Sequence, residues 1–315
     1  MWINTHTIIH MFYLRKENPT FYSDYTRIMK SVNDLITLNN GMGIPCVGFG
    51  TYNEKGGDNY KMILDAMECG YRYFDTASLY ETERDLGKAI KDSGLNRKDL
   101  FLASKAWHDE LDDIDAALER SLNRVGTDYF DIFLIHWPRQ YSGDDYKERD
   151  IKAYKCLEAA VKSGKIKAIG LSNFLPHHAK NILDNCEIKP VVDQLEIHPG
   201  YTQEAAQAYC KQNKIVPQAW SPLGRGSMIT NGLLEDMGNK YGKSPAQIAL
   251  RYIVQEGVIP IVKSGNKERM IQNMQIFDFE ISDEDMSIIR NMPQSTWLGE
   301  HPDFNIPDRK SNLNQ

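Results

Sequence analysis

The stretch GYRYFDTASLYETERDLGKAI, residues 70–90, passes from a strand-like pattern into a helix-like one. Aromatic side chains dominate its first part, which stops at the acid Asp75, and Tyr80 follows five residues later in a polar turn. A strand that leads through a short loop into a helix is the repeating unit of α/β proteins. Because the same unit returns along the chain, this stretch predicts an α/β fold with polar groups at its strand ends.

Eight strand-like segments alternate with helical patterns along most of the chain. They are YRYFD (71–75), LFLASK (100–105), YFDIFLIH (129–136), IKAIGLS (166–172), VVDQLE (191–196), IVPQAW (215–220), VIPIVK (258–263) and IFDFEI (276–281). Apolar strands followed by helices predict a parallel sheet that is covered on its faces. Eight such units favour a closed (β/α)8 TIM barrel, but periodicity alone does not separate it from an open doubly wound sheet.

The N-terminal part differs from this repeat. Asn40 and Gly41 lie between two apolar runs, which predicts a β-hairpin at 35–49, before the first barrel strand. No low-complexity linker follows, so we expect a single barrel domain over 34–315. Residues 1–33 are predicted to be a poorly ordered extension, because untethered termini usually are. They lack the continuous apolar segment of a secretory signal, while an excess of basic residues leaves an organellar presequence open.

The composition limits the classes of function. The chain has 315 residues, 41% of them hydrophobic, which is enough for a large buried core. Its net charge is -6 and its lysines and arginines are scattered, which argues against nucleic-acid binding. No run approaches about 20 consecutive apolar residues, so we expect no membrane span. The five cysteines are far apart without zinc spacing, which predicts free thiols in a reducing compartment such as the cytoplasm, and no metal site.

Polar and aromatic residues stand where the predicted strands end. In a barrel, the C-terminal ends of all strands share one mouth. Taken alone, a strand-end Asp is usually a turn former, a buried His is usually a hydrogen-bonded core residue, and a Lys usually reaches solvent. Together, the strand ends bring an acid, a cation, an imidazole and a phenol to one rim: Asp75, Lys105, His136 and Tyr80.

This set of groups suits proton transfer to a carbonyl oxygen. We expect Lys105 to lower the pKa of Tyr80, whose reference value is about 10, and Asp75 to hold Lys105 in place. His136 is expected to donate a hydrogen bond to the carbonyl oxygen of a substrate. No side chain delivers a hydride, so such a reaction needs a cofactor.

The cofactor site is predicted from different segments. The glycines of GFGTYNEKGG lack the dinucleotide fingerprint spacing, so a Rossmann-type site is not supported. Trp220 at the sixth strand end offers a flat face for a nicotinamide ring, although core packing explains a lone Trp equally well. Within the segment KSGNKER, residues 263–269, Lys263, Ser264 and Arg269 place two cations and a hydroxyl near a helix start, which suits a phosphate.

Seven segments of the chain resemble, in order and spacing, the motifs of the aldo-keto reductases. They are GYRYFDTASLYETERDLGKAI, LFLASKAW, DIFLIHWP, KAIGLSNF, VVDQLEIHP, QAWSPLGRG and IPIVKSGNKERMIQNMQIFDFE. The match extends over about residues 35–304. It implies a (β/α)8 barrel with an N-terminal hairpin, which reduces aldehydes and ketones with NAD(P)H and works as a soluble monomer with no macromolecular partner.

The resemblance also assigns residues. The family's catalytic tetrad falls on Asp75, Tyr80, Lys105 and His136, with Tyr80 as the proton donor. Its cofactor-binding positions fall on Gly50, Thr51, Asp75, Ser172, Asn173, Gln194, Trp220, Ser221, Leu223, Lys263, Ser264, Arg269 and Asn273. Among these, the basic set at 263–269 implies a preference for NADPH over NADH. Asp193 stands where the family usually has Asn.

The substrate pocket follows from the same resemblance. The tail WLGEHPDFN, residues 297–305, is similar to that of the microbial branch with 2,5-diketo-gluconate and methylglyoxal reductases. Trp107, Trp137 and this tail are then expected to form an apolar wall beside His136. Such a wall selects poorly, so we expect broad specificity for small carbonyl compounds, α-dicarbonyls and keto sugars.

Two other functions are compatible with the same barrel. Lys105 could form a Schiff base in an aldolase, although an adjacent Asp75 would keep it protonated and poorly nucleophilic. A regulatory module that binds NADPH with little turnover would keep the cofactor residues, but the complete tetrad argues for catalysis.

Overall fold

The structure is a computed structural model, and it describes residues 29–53, 56–138, 146–295, 297–299 and 301–303. Most of the predicted extension lies outside these ranges. At its described end, Met29 and Val32 are each 5% exposed and belong to the hydrophobic core.

The predicted hairpin is present. Strands β1 (Leu35–Thr37) and β2 (Gly43–Pro45) pair antiparallel, and Gly41 has the positive φ of +84° that the connecting turn requires. The Asn39 amide donates to the carbonyl oxygens of Pro190 (2.8 Å) and Lys214 (3.1 Å). Both carbonyls lie just before barrel strands begin, so the hairpin covers the N-terminal end of the barrel, opposite the mouth.

The fold is the closed barrel that the sequence predicts. Eight parallel strands close in the order β10-β3-β4-β5-β6-β7-β8-β9. The strands are β3 (Gly48–Gly50), β4 (Tyr73–Asp75), β5 (Phe101–Ala106), β6 (Phe130–Ile135), β7 (Ile166–Ser172), β8 (Val192–Glu196), β9 (Val216–Trp220) and β10 (Ile259–Val262). Since all of them are parallel, their C-terminal ends meet at a single mouth.

Helices connect the strands on the outside of the barrel. They are α1 (Asn59–Cys69), α2 (Glu83–Ser93), α3 (Ile114–Val125), α4 (Tyr146–Lys162), α5 (Pro176–Leu183), α6 (Glu204–Gln212), α7 (Gly232–Tyr241), α8 (Pro245–Gln255), α9 (Lys267–Met274) and α10 (Asp283–Arg290). Local chemistry sets their ends. Asp58 caps the start of α1 and Gly70, at φ +108°, ends it, while Ser244 and Gln247 form a capping box on α8.

The first barrel strand was not predicted as such. The sequence placed GFG inside the hairpin segment, whereas residues 48–50 form β3 and pair with β4 and β10. A Cβ on Gly48 would lie 2.6 Å from Ile261 and 2.8 Å from Tyr73. The strand therefore needs a glycine for close packing, and that glycine removes the apolar signal by which strands are recognised.

The prediction of a strand at 276–281 is wrong. This segment runs along α8, whose side chains satisfy its backbone. Gln255 accepts from the Ile281 N–H (2.8 Å) and donates to the Ile281 carbonyl (2.9 Å), and Arg251 donates to the Ile276 carbonyl (3.2 Å). Ile276 and Ile281 are buried as in a half-buried strand, which explains the misleading pattern. Among the described residues, no helix is long and apolar enough to cross a membrane.

Candidate active site

The four predicted catalytic side chains meet at the mouth. Asp75 ends β4, Lys105 lies near the end of β5 and His136 follows β6, while the short 3-10 turn Ser78–Tyr80 carries the phenol back over the strand ends. The Tyr80 hydroxyl lies 3.4 Å from Lys105 Nζ and 3.3 Å from His136 Nε2. One phenol therefore faces both an ammonium and an imidazole.

Lys105 and Asp75 form a buried ion pair. Lys105 Nζ lies 2.5 Å from Asp75 Oδ1, and the two side chains are 0% and 3% exposed. The ammonium also donates to the Thr76 carbonyl (3.0 Å), and Asp75 Oδ2 accepts from Gln194 Nε2 (2.9 Å). Burying two charges is tolerable only when they are paired and hydrogen-bonded in this way. The contact between the two side chains is the one that the expected role of Asp75, holding Lys105 in place, requires.

The electrostatics keep the phenol and the imidazole neutral. Burial, together with the nearby Asp75 carboxylate, raises the pKa of Tyr80 well above its ordinary value. Burial and the Lys105 ammonium lower the pKa of His136 well below its ordinary value. Burial also lowers the pKa of Lys105, although Asp75 opposes that effect. The lowering of the Tyr80 pKa that we expect from Lys105 is therefore not the net effect, because burial and Asp75 raise this pKa.

The residues expected to hold a nicotinamide lie side by side at the ends of β7, β8 and β9. Asn173 adopts a left-handed conformation with φ +63°, which a non-glycine residue accepts only when its surroundings fix it. Its amide donates to the His136 carbonyl (3.0 Å) and accepts from Trp220 Nε1 (2.8 Å). The Ser172 hydroxyl donates to the Gln194 carbonyl (3.0 Å). The hydrogen bond from Trp220 to Asn173 fixes the orientation of the indole ring, which is partly exposed at the mouth.

A buried network behind Gln194 was not found from the sequence. Gln194 Nε2 donates to Gln218 Oε1 (3.1 Å) as well as to Asp75, and Gln218 Nε2 donates to the Tyr73 hydroxyl (3.1 Å). These donations orient the Gln194 amide and leave its Oε1 as the acceptor for another group. Gln218 and Tyr73 point into the barrel by strand alternation, but nothing in the sequence pairs them.

The predicted phosphate residues lie around the start of α9 and are mostly exposed. Lys263 Nζ donates to Asn53 Oδ1 (2.8 Å), which reaches across from the loop after β3. Asn266 caps α9 by accepting from the Arg269 N–H (2.9 Å), and Ser264 Oγ bonds the Asn266 N–H (3.1 Å). Arg269 is exposed, and its side chain has no ion pair with an acid in the described part of the chain.

The other predicted cofactor residues lie at different places in the barrel and differ in burial. Gly50 ends β3 beside Asp75, and the Thr51 N–H donates to the Asp75 carbonyl (2.9 Å). Ser221 and Leu223 follow β9 in a tight turn and are partly buried, with Ser221 at φ +49°. Asn273 lies on α9 and is only 4% exposed, so its amide faces the protein more than the mouth.

An aromatic cluster borders the catalytic groups. Trp107 and Trp137 pack together with Leu79, as the expected pocket wall requires. Trp107 also meets the His136 ring edge-on at 5.0 Å. Tyr52 was missed by the sequence reasoning, although it directly follows Thr51. Its ring lies 4.9 Å from that of Tyr80 and its side chain is exposed at the mouth.

The described part of the C-terminal tail packs near Glu196, Tyr201 and Trp220, away from the Trp107 and Trp137 cluster. The Leu298 N–H donates to both oxygens of the buried Glu196 carboxylate at 3.1 Å. Trp297 packs on Tyr201 at 5.2 Å and not on the Trp107 and Trp137 cluster. A Cβ added at Gly299 would lie 3.3 Å from the Trp220 ring. Residues 300, 304 and 305 of the predicted tail lie outside the described residues.

A cluster of potential metal ligands lies away from the tetrad. His177, His178 and Asp303 bring their donor atoms within 4.8 Å of one another. However, the Leu175 N–H donates to His178 Nδ1 (3.2 Å), and burial lowers the pKa of His178 to about 4. The neutral ring therefore carries its proton on Nε2, which faces Asp303 at 3.3 Å. A protonated nitrogen is a donor to the carboxylate and not a metal ligand.

A barrel whose mouth offers a phenol, an ammonium and an imidazole is suited to donate a proton to a carbonyl oxygen. The comparison with known proteins identifies the class. The family model described as "Aldo/keto reductase family" matches residues 47–293. The chain therefore belongs to the aldo/keto reductase family and is an oxidoreductase that acts on carbonyl groups. This family generally uses a nicotinamide cofactor.

Individual relatives cover nearly all of the barrel. The chain is 41% identical over 276 residues to a glyoxal reductase of Bacillus subtilis, which covers 87% of this chain and 98% of that protein. It is 35% identical over 271 residues to methylglyoxal reductase DkgA of Escherichia coli O157:H7, covering 85% and 97%. The crystal structure of a Bombyx mori aldo-keto reductase in complex with NADP is similar, with a TM-score of 0.75, 33% identity, and coverage of 83% and 93%.

Proposed function

We propose that this protein reduces small aldehydes and ketones to alcohols with NADPH, and that Tyr80 supplies the proton. The observation that carries the proposal is the position of the Tyr80 hydroxyl, 3.4 Å from Lys105 Nζ and 3.3 Å from His136 Nε2. The phenol is protonated at neutral pH because burial raises its pKa, so it can donate. The ammonium nearby can then stabilise the phenolate that remains.

Tyr80, Lys105 and His136, together with a hydride donor, can supply the proton and the electrons that carbonyl reduction needs. A bound nicotinamide would supply the hydride for the carbonyl carbon, and the carbonyl π electrons would then move onto the oxygen. That oxygen takes the proton of Tyr80 as the O–H bond of the phenol breaks, which leaves a phenolate next to Lys105. The neutral His136, through Nε2, can hold the substrate oxygen near the phenol. A proton from solvent then restores Tyr80 for the next turnover.

Residues at the mouth fit a nicotinamide. Trp220 has its indole N–H engaged by Asn173 at 2.8 Å, so the ring is held with a partly exposed surface. Gln194 has its amide N–H groups engaged by Asp75 and Gln218, which leaves Oε1 to accept from a carboxamide. A fixed aromatic ring and an oriented acceptor are what a planar ring with an amide substituent requires.

The preference for NADPH over NADH is proposed from the exposed cations. Lys263 and Arg269 lie on either side of the capped start of α9, and both are exposed. A 2′-phosphate gains charge-assisted hydrogen bonds from such groups, whereas a 2′-hydroxyl gains little. Ser264 adds a hydroxyl between them.

The substrate class is proposed to be small carbonyl compounds, α-dicarbonyls and keto sugars. The relatives named as glyoxal and methylglyoxal reductases support the α-dicarbonyl part. Trp107 and Trp137 would contact the substrate with apolar surface, and Tyr52, whose ring lies 4.9 Å from that of Tyr80, would add a phenol. Apolar walls discriminate weakly between compounds of similar size, which favours broad specificity.

The test is loss of NADPH absorbance with a panel of aldehydes, α-dicarbonyls and keto sugars. Tyr80→Phe should abolish turnover while leaving NADPH affinity, measured by fluorescence quenching, nearly unchanged. Tyr71→Phe is the matched control, because it removes another buried phenol hydroxyl, which donates to Met270 O at 3.1 Å outside the site. Turnover by Tyr80→Phe at the level of the control would show that Tyr80 is not the acid.

The two rival functions give other outcomes. Lys105 as an aldolase nucleophile is disfavoured by its ion pair with Asp75, and borohydride trapping of a substrate on Lys105 would revive it. A regulatory subunit would bind NADPH tightly and oxidise it slowly with every carbonyl compound in the panel.

We also propose that residues 34–315 form a single domain that acts as a cytoplasmic monomer without a nucleic-acid partner. The scattered charge of the chain supports the last point. All five cysteines are free thiols, which fits a reducing compartment. Light scattering on a size-exclusion column would report the mass, and a value of twice 36.1 kDa would refute the monomer.

A further inference from the structure

Glu110 connects two loops of the mouth. It lies in the 3-10 helix His108–Asp113, just after Trp107, and is 8% exposed. Its Oε2 accepts from the Ser78 hydroxyl (2.5 Å) and from the Trp107 N–H (3.1 Å). Its Oε1 accepts from Arg120 (2.9 Å), which supplies the countercharge. One carboxylate oxygen thus joins the loop after β4 to the loop after β5.

Each of these loops carries a residue of the site. Ser78 opens the single 3-10 turn that ends at Tyr80, so the position of one determines the position of the other. Leu79, between them, packs against Trp107 and Trp137. Two sets of contacts therefore connect the turn of Tyr80 with the aromatic wall: the hydrogen bonds of Glu110 and the packing of Leu79.

A buried glutamate elsewhere in the barrel shows what a purely structural role looks like. Glu158 on α4 is 4% exposed and accepts from the backbone N–H groups of Glu187 (2.6 Å) and Ile188 (2.8 Å). These groups belong to a loop that precedes β8, at the end of the barrel opposite the mouth. Glu158 fixes one loop, whereas Glu110 fixes two loops relative to each other.

We propose that Glu110 is a positioning residue, which sets the place of the Tyr80 proton donor relative to the Trp107 wall through Ser78. The inference rests on the proposed reduction, since it concerns the acid and the pocket of that reaction. Ser78 transmits the constraint to Tyr80, and the Trp107 N–H transmits it to the wall. A displacement of a reacting group by about 1 Å can cost roughly a hundredfold in rate, so such a constraint has a large kinetic effect.

The test separates the two connections by kinetics. Ser78→Ala removes only the link to the turn of Tyr80, so kcat should fall about tenfold while the KM for the carbonyl compound stays the same. Glu110→Gln leaves one acceptor oxygen for three donors: the Ser78 hydroxyl, the Trp107 N–H and Arg120. Because the charged Arg120 competes for that oxygen, both loop contacts weaken, so kcat should fall and KM should rise. In the double variant the loss should not exceed that of Glu110→Gln, because both changes break one network.

Glu158→Gln is the control for loss of stability. It should lower the melting temperature as Glu110→Gln does, yet keep kcat and KM within about twofold. Equal kinetic constants for Glu110→Gln and Glu158→Gln, per folded molecule, would overturn the inference. A wild-type enzyme that turns over no carbonyl compound would instead contradict the proposed function.

Hydrogen exchange tests the coupling without any substrate. Amides of residues 76–82 should exchange faster in both Ser78→Ala and Glu110→Gln, and amides of 107–113 should do so only in Glu110→Gln. Glu158→Gln should change neither segment. Unchanged exchange at 76–82 in both variants would overturn the inference even if the enzyme proved inactive.

Discussion

The two halves of the barrel mouth are built in opposite ways. In the catalytic half, at the ends of β4, β5 and β6, Asp75 and Lys105 are 2% and 0% exposed and bonded to each other. In the phosphate half, at the end of β10 and the start of α9, Lys263 and Arg269 are exposed. Both halves carry cations, but the cation of the catalytic half is buried in an ion pair, whereas those of the phosphate half are exposed.

The difference follows from where each charge has to act. A buried cation without an anion would cost several kcal/mol, so Lys105 requires Asp75 whether or not a reaction takes place. An exposed cation stays hydrated and costs little, so Lys263 and Arg269 remain charged at the surface, where a phosphate can reach them. The catalytic half should therefore couple activity to stability, whereas the phosphate half should change cofactor binding without changing stability.

The largest effect is expected from Lys105→Met. It leaves the Asp75 carboxylate buried without its cation, so the free energy of unfolding should fall by about 3–5 kcal/mol. Turnover should fall by about a thousandfold, since the phenolate of Tyr80 loses its stabilising charge. Urea unfolding and steady-state kinetics measure the two losses.

The double variant Asp75→Asn/Lys105→Met provides the control. It removes both charges, so most of the stability should return while turnover stays low. If the single variant were as stable as the wild type, the ion pair would not be the reason for the burial of these two side chains.

Lys263→Ala should act only on the cofactor. The KM for NADPH should rise by about tenfold to a hundredfold, the range expected for one hydrogen bond to a charged group. The KM for NADH and the melting temperature should hardly change. Because the site is exposed, 0.5 M salt should screen the attraction between Lys263 and the phosphate and weaken NADPH binding to the wild type. The difference in the KM for NADPH between the wild type and Lys263→Ala should then become smaller.

Lys267→Ala is the matched control for that experiment. Lys267 is also exposed, begins the same helix α9, and is paired with Glu68 at 2.6 Å on the outside of the barrel. It should leave the KM for NADPH unchanged. Equal losses with NADPH and NADH in Lys263→Ala would refute the assignment to the 2′-phosphate.

The catalytic half was also the part that the sequence predicted best. Asp75, Lys105 and His136 each end or follow an apolar strand, so the barrel rule alone brings them together. Tyr80 lies in the adjacent turn. Their identities and their strand positions are both local properties of the sequence, and the structure places them within hydrogen-bond reach of one another.

What the sequence could not predict depends on contacts between distant segments. The 48–50 strand needs glycine because Ile261 and Tyr73 pack against it, and the 276–281 segment is held by α8. Likewise the bond between Ser78 and Glu110 joins residues 32 apart. None of these partners is marked by periodicity, and in the first two cases the local pattern pointed the other way.

Asp193 is a buried carboxyl group that differs from Asp75 in its surroundings. It is 0% exposed on β8 and its Oδ1 has no hydrogen-bond partner in the described ranges. Cys210 Sγ lies 3.9 Å from its Oδ2. Burial raises the pKa of Asp193 well above its usual range, although a backbone hydrogen bond from Phe174 opposes this. Burial thus favours the protonated form of the Asp193 carboxyl, whereas the buried Asp75 carboxylate is paired with Lys105.

Asp193→Asn should therefore stabilise the protein at high pH. A carboxyl group whose pKa is raised by folding contributes its full stability below the unfolded pKa of about 3.9, and that stability is lost as the pH rises. Asn keeps the shape without this loss, so its melting temperature should exceed that of the wild type by about 2–4 °C at pH 8. The gap should narrow towards pH 5. A gap that is independent of pH would mean that the Asp193 carboxyl is already ionised in the folded state.

The smallest effect is expected from pH on the chemical step. Burial holds the pKa of Tyr80 above and that of His136 below the neutral range, so between about pH 6.5 and 9 the phenol stays protonated and the imidazole stays neutral. The kcat for carbonyl reduction should then vary by less than about twofold across this range at constant ionic strength. The KM for NADPH should instead rise below about pH 6, where a phosphate monoester takes up its second proton. A change in kcat near pH 7 would show that Tyr80 or His136 of the catalytic half titrates in this range. A pH effect confined to the KM for NADPH would instead assign the pH dependence to the phosphate half.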